Sequence, residues 1–167
     1  MTNTRKIEPF VIARVFDAPR IRVWQAWTEV ERLKQWFSPK GFTVIAAKMD
    51  LRPGGSYHYG MRTPDGQEMW GKWVFREVKA PERLVLVNCF SDAAGGIARH
   101  PMAPTWPREM LSTSTFTEKD GKTTLTLEWA PINATPEEIA TFEAGRAGMT
   151  QGWGGTFEQF TDYLAKG

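Results

Sequence analysis

The chain has 167 residues, of which 41% are hydrophobic, 13% aromatic and 24% charged. Its 21 basic and 19 acidic side chains leave a net charge of +2 with no run of five like charges, which argues against nucleic-acid partners and a charged tail. The length fits a single domain spanning 1–167, no stretch of about 18 apolar residues is available to insert in a membrane, and the lone Cys89 excludes an internal disulfide.

The opening MTNTRKIEPFVIARVF lacks the apolar core and cleavage site of a secretory signal, so a cytoplasmic location is expected. Glu8 to Phe16 reads as a first strand. Asp17 then reads as a helix N-cap with Pro19 in the first turn, and Val23, Trp24 and Trp27 share one helical face. Leu33, Trp36 and Phe37 repeat that spacing in a second short helix ended by Pro39 and Gly41.

From Thr43 the period becomes strand-like. Expected strands are Thr43–Asp50, Ser56–Thr63, Glu68–Val78, Leu84–Ser91, Met110–Glu118 and Thr123–Trp129. Turns at Arg52-Pro53-Gly54-Gly55, Thr63-Pro64-Asp65-Gly66 and Lys119-Asp120-Gly121-Lys122 separate some of them. Residues 92–108 carry Gly95, Gly96, Pro101, Pro104 and Pro107 and read as a long loop. Its Trp106 is expected to anchor it as a lid, with the Gly95-Gly96 pair as hinge. Thr135-Pro136-Glu137-Glu138 starts a C-terminal helix, along which Met149, Trp153, Phe157, Phe160 and Leu164 form one apolar stripe. The glycines between 145 and 155 imply a kink, a break or close packing within it. The resulting class is α+β, with a curved antiparallel sheet of six or seven strands.

The chemistry is sparse. There is no G-x-S-x-G, no phosphate-cradling glycine motif, and only His58 and His100 as histidines, so no catalytic residue, cofactor or metal is assigned. Cys89 reads as a buried, inert thiol. For an enzyme reading, the groups to test first are His58, Glu77, Glu128 and His100. What does stand out is the content of eight Trp, ten Phe and seven Met. Tyr57, Tyr59, Trp73, Phe75, Phe90 and Trp129 are positioned to line a concave sheet face, with Met149 and Trp153 opposite on the helix. Together they outline an apolar cavity for a hydrophobic small molecule or lipid. Arg99, His100 and Trp106 are the candidates at its mouth.

Several segments recur together in one family. FDAPRIRVWQAWTEVERLKQWFSPKGF, LRPGGSY, MRTPDGQEMWGKWVFREVKAPERLV, GGIARHPMAPTWPREMLSTSTFTEKDGKTTLTL and QGWGGTFEQFTDYL resemble the activator of Hsp90 ATPase homologue family. The likeness extends from about Val11 to Leu164. It implies the helix-grip fold of the START, birch-pollen-allergen and polyketide-cyclase superfamily, in which a curved sheet wraps a long C-terminal helix. Superfamily relatives bind lipids, sterols or polyketides, and a few are cyclases. The co-chaperones that name the family stimulate a chaperone ATPase, which connects it to stress responses. The expected role is therefore hydrophobic ligand binding by a monomer or weak dimer. A cyclase- or hydrolase-like enzyme using the same cavity and a chaperone-interacting module are the alternatives.

Overall fold

Alternating burial along the chain builds most of the architecture. The computed structural model describes residues 7–100 and 103–166; Pro101 and Met102 of the expected lid lie outside the described residues. Strand β1 (Phe10–Phe16) leads into α1 (Arg20–Thr28) and the single turn α2 (Val30–Leu33). There follow β2 (Thr43–Met49), β3 (Ser56–Arg62), β4 (Glu68–Lys79), β5 (Arg83–Ser91), β6 (Ile97–Ala98), β7 (Glu109–Lys119) and β8 (Lys122–Ile132). Two helices close the chain, α3 (Pro136–Ala144) and α4 (Arg146–Ala165).

The strands form one antiparallel sheet in the order β1-β8-β7-β5-β4-β3-β2, with β6 paired to β5 outside that path. The eighth strand beyond the expected seven is β6, a short pairing inside the segment read as a loop. Register shifts at Val44/Ala46 and Phe75/Glu77 interrupt two of the ladders. Such bulges bend a strand and increase its twist. The β7–β8 connection is the expected two-residue hairpin, with Asp120 and Gly121 both at positive φ (54° and 76°), as an Asp-Gly turn of the primed type requires.

Helix α4 lies against the concave face of the sheet, as the helix-grip expectation holds. Phe157 and Phe160 are fully buried in a cluster with Phe16, Trp24, Trp27, Trp36, Phe116 and Leu125. Side-chain hydrogen bonds fasten its last turns: Gln159 donates to the carbonyls of Trp36 and Ser38, and Arg22 donates to that of Leu164 at 2.6 Å. No described helix is long and apolar enough to cross a membrane.

One local expectation needs correcting and another is narrowed. Asp17 does not cap α1; Pro19 occupies the N-cap position, with no side-chain hydrogen bond there. Of the kink, break or close packing that the glycines imply for the C-terminal helix, the structure has a break: the segment is two helices, because Gly145 leaves helical geometry (φ −90°, ψ 5°) and serves as C-cap of α3 and N-cap of α4. An added Cβ there would sit 2.9 Å from the Trp106 ring, so a residue without one lets that indole close over the break.

Candidate functional site

The concave face leaves a cavity of about 550 Å³ between the sheet, the β6–β7 connection and α4. Its wall is built strand by strand: Tyr59 and Met61 from β3, Asn88 and Phe90 from β5, Met110 from β7, and Trp129 from β8. Gly145, Met149 and Trp153 cover it from the helical side, and His100, Trp106 and Arg108 border it from the connection. Such a volume with mostly apolar walls is typical of small-molecule sites.

Among the expected site residues, the cavity brings together Tyr59, Phe90, His100, Trp106, Trp129, Met149 and Trp153. It does not include four others. Tyr57 and Phe75 belong to the packed core, each 1% exposed. Trp73 shares that core and lines a smaller inner chamber. Strand alternation assigns all of these to one face, but position along the strand decides which reach the opening. Arg99 turns away from the cavity, donating to Glu138 Oε2 and to the Pro104 carbonyl, both at 2.9 Å. The exposed Arg108 borders the cavity instead.

The groups singled out for catalysis are dispersed. His58 stacks on Trp70 with ring centroids 5.2 Å apart, and its Nε2 lies 2.9 Å from the Asp92 carbonyl. Glu77 pairs with Arg83 at 3.0 Å, and Glu128 is exposed on β8. Only His100 reaches the cavity, where its ring centroid stands 4.6 Å from that of Phe90.

Burial sets the electrostatics. It lowers the His100 pKa and so favours the neutral ring, and it pushes the Cys89 thiol up. The Tyr59 hydroxyl is raised by burial and, to a lesser degree, by Tyr57 beside it. No Asp or Glu is among the described residues of the wall. Apart from Arg108 and His100 at its border, the described wall is mainly aromatic and sulfur-rich.

The segment between β5 and β7, which includes the short β6, is a strap held at both ends. At its start, Asp92 Oδ1 accepts the N–H groups of Ala94 and Gly96, and Lys72 donates to the Gly95 carbonyl. The Gly95-Gly96 pair is thus a pinned turn, in place of the expected hinge. Further on, the strap is joined to α3 by the Arg99–Glu138 pair, by Thr141 donating to Thr105 at 2.9 Å, and by Trp106 against Phe142. Glu138 also closes a capping box, accepting the Thr135 N–H at 2.9 Å while Thr135 Oγ1 accepts the Glu138 N–H. The T-x-x-E spacing signals this box in the sequence. Nothing local signals the reach across to Arg99.

The Thr135 N–H and the Arg99 guanidinium hold the Glu138 carboxyl below its ordinary value of 4.5. A depressed acid contributes stability that is present above its unfolded pKa and lost as the pH falls through the folded one. Hydrogen exchange across 103–108 and 135–142, corrected for intrinsic rates, should therefore rise selectively as the pH drops below 4.5. Glu138→Gln should raise it at neutral pH and flatten the profile. An unchanged profile in that variant would contradict the assignment.

A family model described as activator of Hsp90 ATPase homolog 1-like protein matches residues 17–165. A crystal structure from Mycobacterium smegmatis is 27% identical, covers 92% of this chain and 88% of its own, and superposes with a TM-score of 0.73. One from Nitrosomonas europaea is 25% identical over 96% of both chains, with a TM-score of 0.75. A solution structure from Arthrobacter aurescens, also 25% identical, covers 97% of this chain and 88% of its own at a TM-score of 0.78. Against curated proteins the chain has no match.

Proposed function

Since the chain belongs to the activator of Hsp90 ATPase homologue 1-like family and has its cavity on the concave face of a helix-grip sheet, we propose that it binds a hydrophobic small molecule there. The observation carrying this reading is the wall itself: about 550 Å³ bounded by Tyr59, Phe90, Met110, Trp129, Met149 and Trp153, with no carboxylate among its described residues. Apolar burial supplies the affinity, at about 25 cal/mol per Å² removed from water before ordering costs are subtracted. General acid–base turnover would require a titratable group poised against the substrate. Among the described residues of the wall, the one histidine is pushed toward its neutral form by burial.

Protein purified from its own host should carry an apolar molecule at one-to-one stoichiometry, seen as a mass increment by native mass spectrometry and lost on denaturation. A chaperone-facing role, the other reading that the family carries, draws on none of the cavity's features. The same purification separates the two, since a chaperone retained with an empty domain would favour that role and count against ligand binding.

A further inference from the structure

Beneath the main cavity lies a chamber of about 20 Å³, and the two spaces share Phe37, Asn88, Trp129 and Trp153 in their walls. Its other walls include Trp27, Ser112 and Ser114. Polar residues are unusual at this depth. Ser112 and Ser114 are 5% and 2% exposed, on inward positions of β7 between Met110 and Phe116. Trp27 is 3% exposed, and its indole N–H is the one buried side-chain polar atom without a hydrogen-bond partner among the described residues. The neighbouring Trp36 makes the contrast plain, since its own N–H donates to the Ala26 carbonyl at 3.1 Å. A buried donor left without an acceptor costs free energy, so an orphan at the inner end of an open cavity points to a missing acceptor.

We infer that the cavity is built for an apolar molecule whose inner end carries a neutral oxygen acceptor, such as a ketone or ester carbonyl, received by the Trp27 N–H. This rests on the ligand-binding reading above and deepens it. The size of the chamber suits one oxygen-bearing group and leaves the body of the ligand to the larger space. Charge decides the chemical type. None of the described residues lining the chamber is basic or acidic. A carboxylate or ammonium there would be desolvated without a counter-charge, a far greater penalty than a carbonyl meets. An indole N–H can only donate, so the group facing it must accept; the Ser112 and Ser114 hydroxyls and the Asn88 amide are able to accompany it. Any charged portion of the ligand is left to the outer end, where Arg108 is exposed. A site with a dedicated hydrogen bond rejects an analogue lacking the partner much more strongly than one that differs in apolar bulk.

The test uses the whole protein and a matched pair of probes, 2-acetylnaphthalene and 2-isopropenylnaphthalene, which differ in C=O against C=CH₂. Each displaces the neutral dye N-phenyl-1-naphthylamine, whose fluorescence reports occupancy of the cavity. The ketone should bind about tenfold more tightly than the alkene, the scale expected for a buried hydrogen bond. In Trp27→Phe the dye should still bind and the preference should fall below about threefold. Independently of that variant's folding, the Trp27 indole proton of the parent protein should move downfield with the ketone and not with the alkene. Dye binding with equal affinity for the two probes would overturn the inference and leave the cavity reading standing. So would an indole proton that remains on a trapped water or against a neighbouring ring when the ketone is bound. If the dye and both probes fail to bind, the cavity reading falls, and this inference with it.

Discussion

Phe160→Ala should destabilise the fold by about 4 kcal/mol, lowering the thermal midpoint by roughly 8–16 °C for a chain of this size. Phe160 is fully buried, and its ring meets those of Trp36 at 4.3 Å and Phe16 at 4.8 Å, with Trp27 at 6.1 Å. It joins α4, the first strand, α1 and the turn that follows α2 at one point. Removing it leaves a ring-sized void among bulky neighbours that are held from several sides, so little relaxation can refill the space. Denaturant titration followed by near-ultraviolet circular dichroism measures the loss directly. A cost below about 1 kcal/mol would mean that this contact is not where sheet and helix grip each other.

Trp106→Ala should behave differently, opening the strap and sparing the sheet. The half-buried Trp106 stands between the strap and the α3–α4 break, with its ring centroid 6.3 Å from that of Phe142. Arg99–Glu138 and Thr141–Thr105 remain in the variant but are partly solvated, and such contacts contribute less than a packed indole. A loss of about 2 kcal/mol in local closure corresponds to a roughly 30-fold rise in hydrogen exchange across 103–108, with β4, β5 and β7 nearly unchanged. Equal loss of protection in those strands would show that Trp106 belongs to the common core and holds no separate segment.

These two residues also illustrate what a sequence discloses. The stripe from Met149 to Leu164 has a helical period, so Phe160 is identifiable as a core contact before any coordinates exist. Asp120-Gly121 carries its turn in its own backbone preferences, and the strands it joins follow. The break at Gly145 is harder to read, because α4 contains Gly148, Gly152, Gly154 and Gly155 without interruption. Only the Trp106 ring, almost forty residues earlier in the chain, distinguishes one glycine from the others. Tyr57 and Tyr59 share a face by alternation, yet the first is sealed in the core while the second borders the cavity. That difference depends on what α4 and the short helices cover, which no local pattern encodes. The Arg99–Glu138 pair and the unsatisfied Trp27 N–H are likewise products of long-range packing. Each half looks ordinary in its own segment.

One cross-strand pair bears on how such a pocket can be retuned. Tyr59 on β3 stands directly opposite Gly71 on β4, and its ring lies so close that a Cβ on Gly71 would be 2.3 Å from the ring's hydroxyl-bearing carbon. A methyl group added at Gly71 must therefore displace an aromatic side chain that is itself part of the cavity wall. The shape of the interior is thus coupled to a residue that presents no side chain to it. A change of one codon letter, from glycine to alanine, would alter which molecules fit while every lining residue kept its identity. Under the proposed function, lineages would diverge in ligand choice through such a position, and a comparison restricted to the residues facing the cavity would not reveal it.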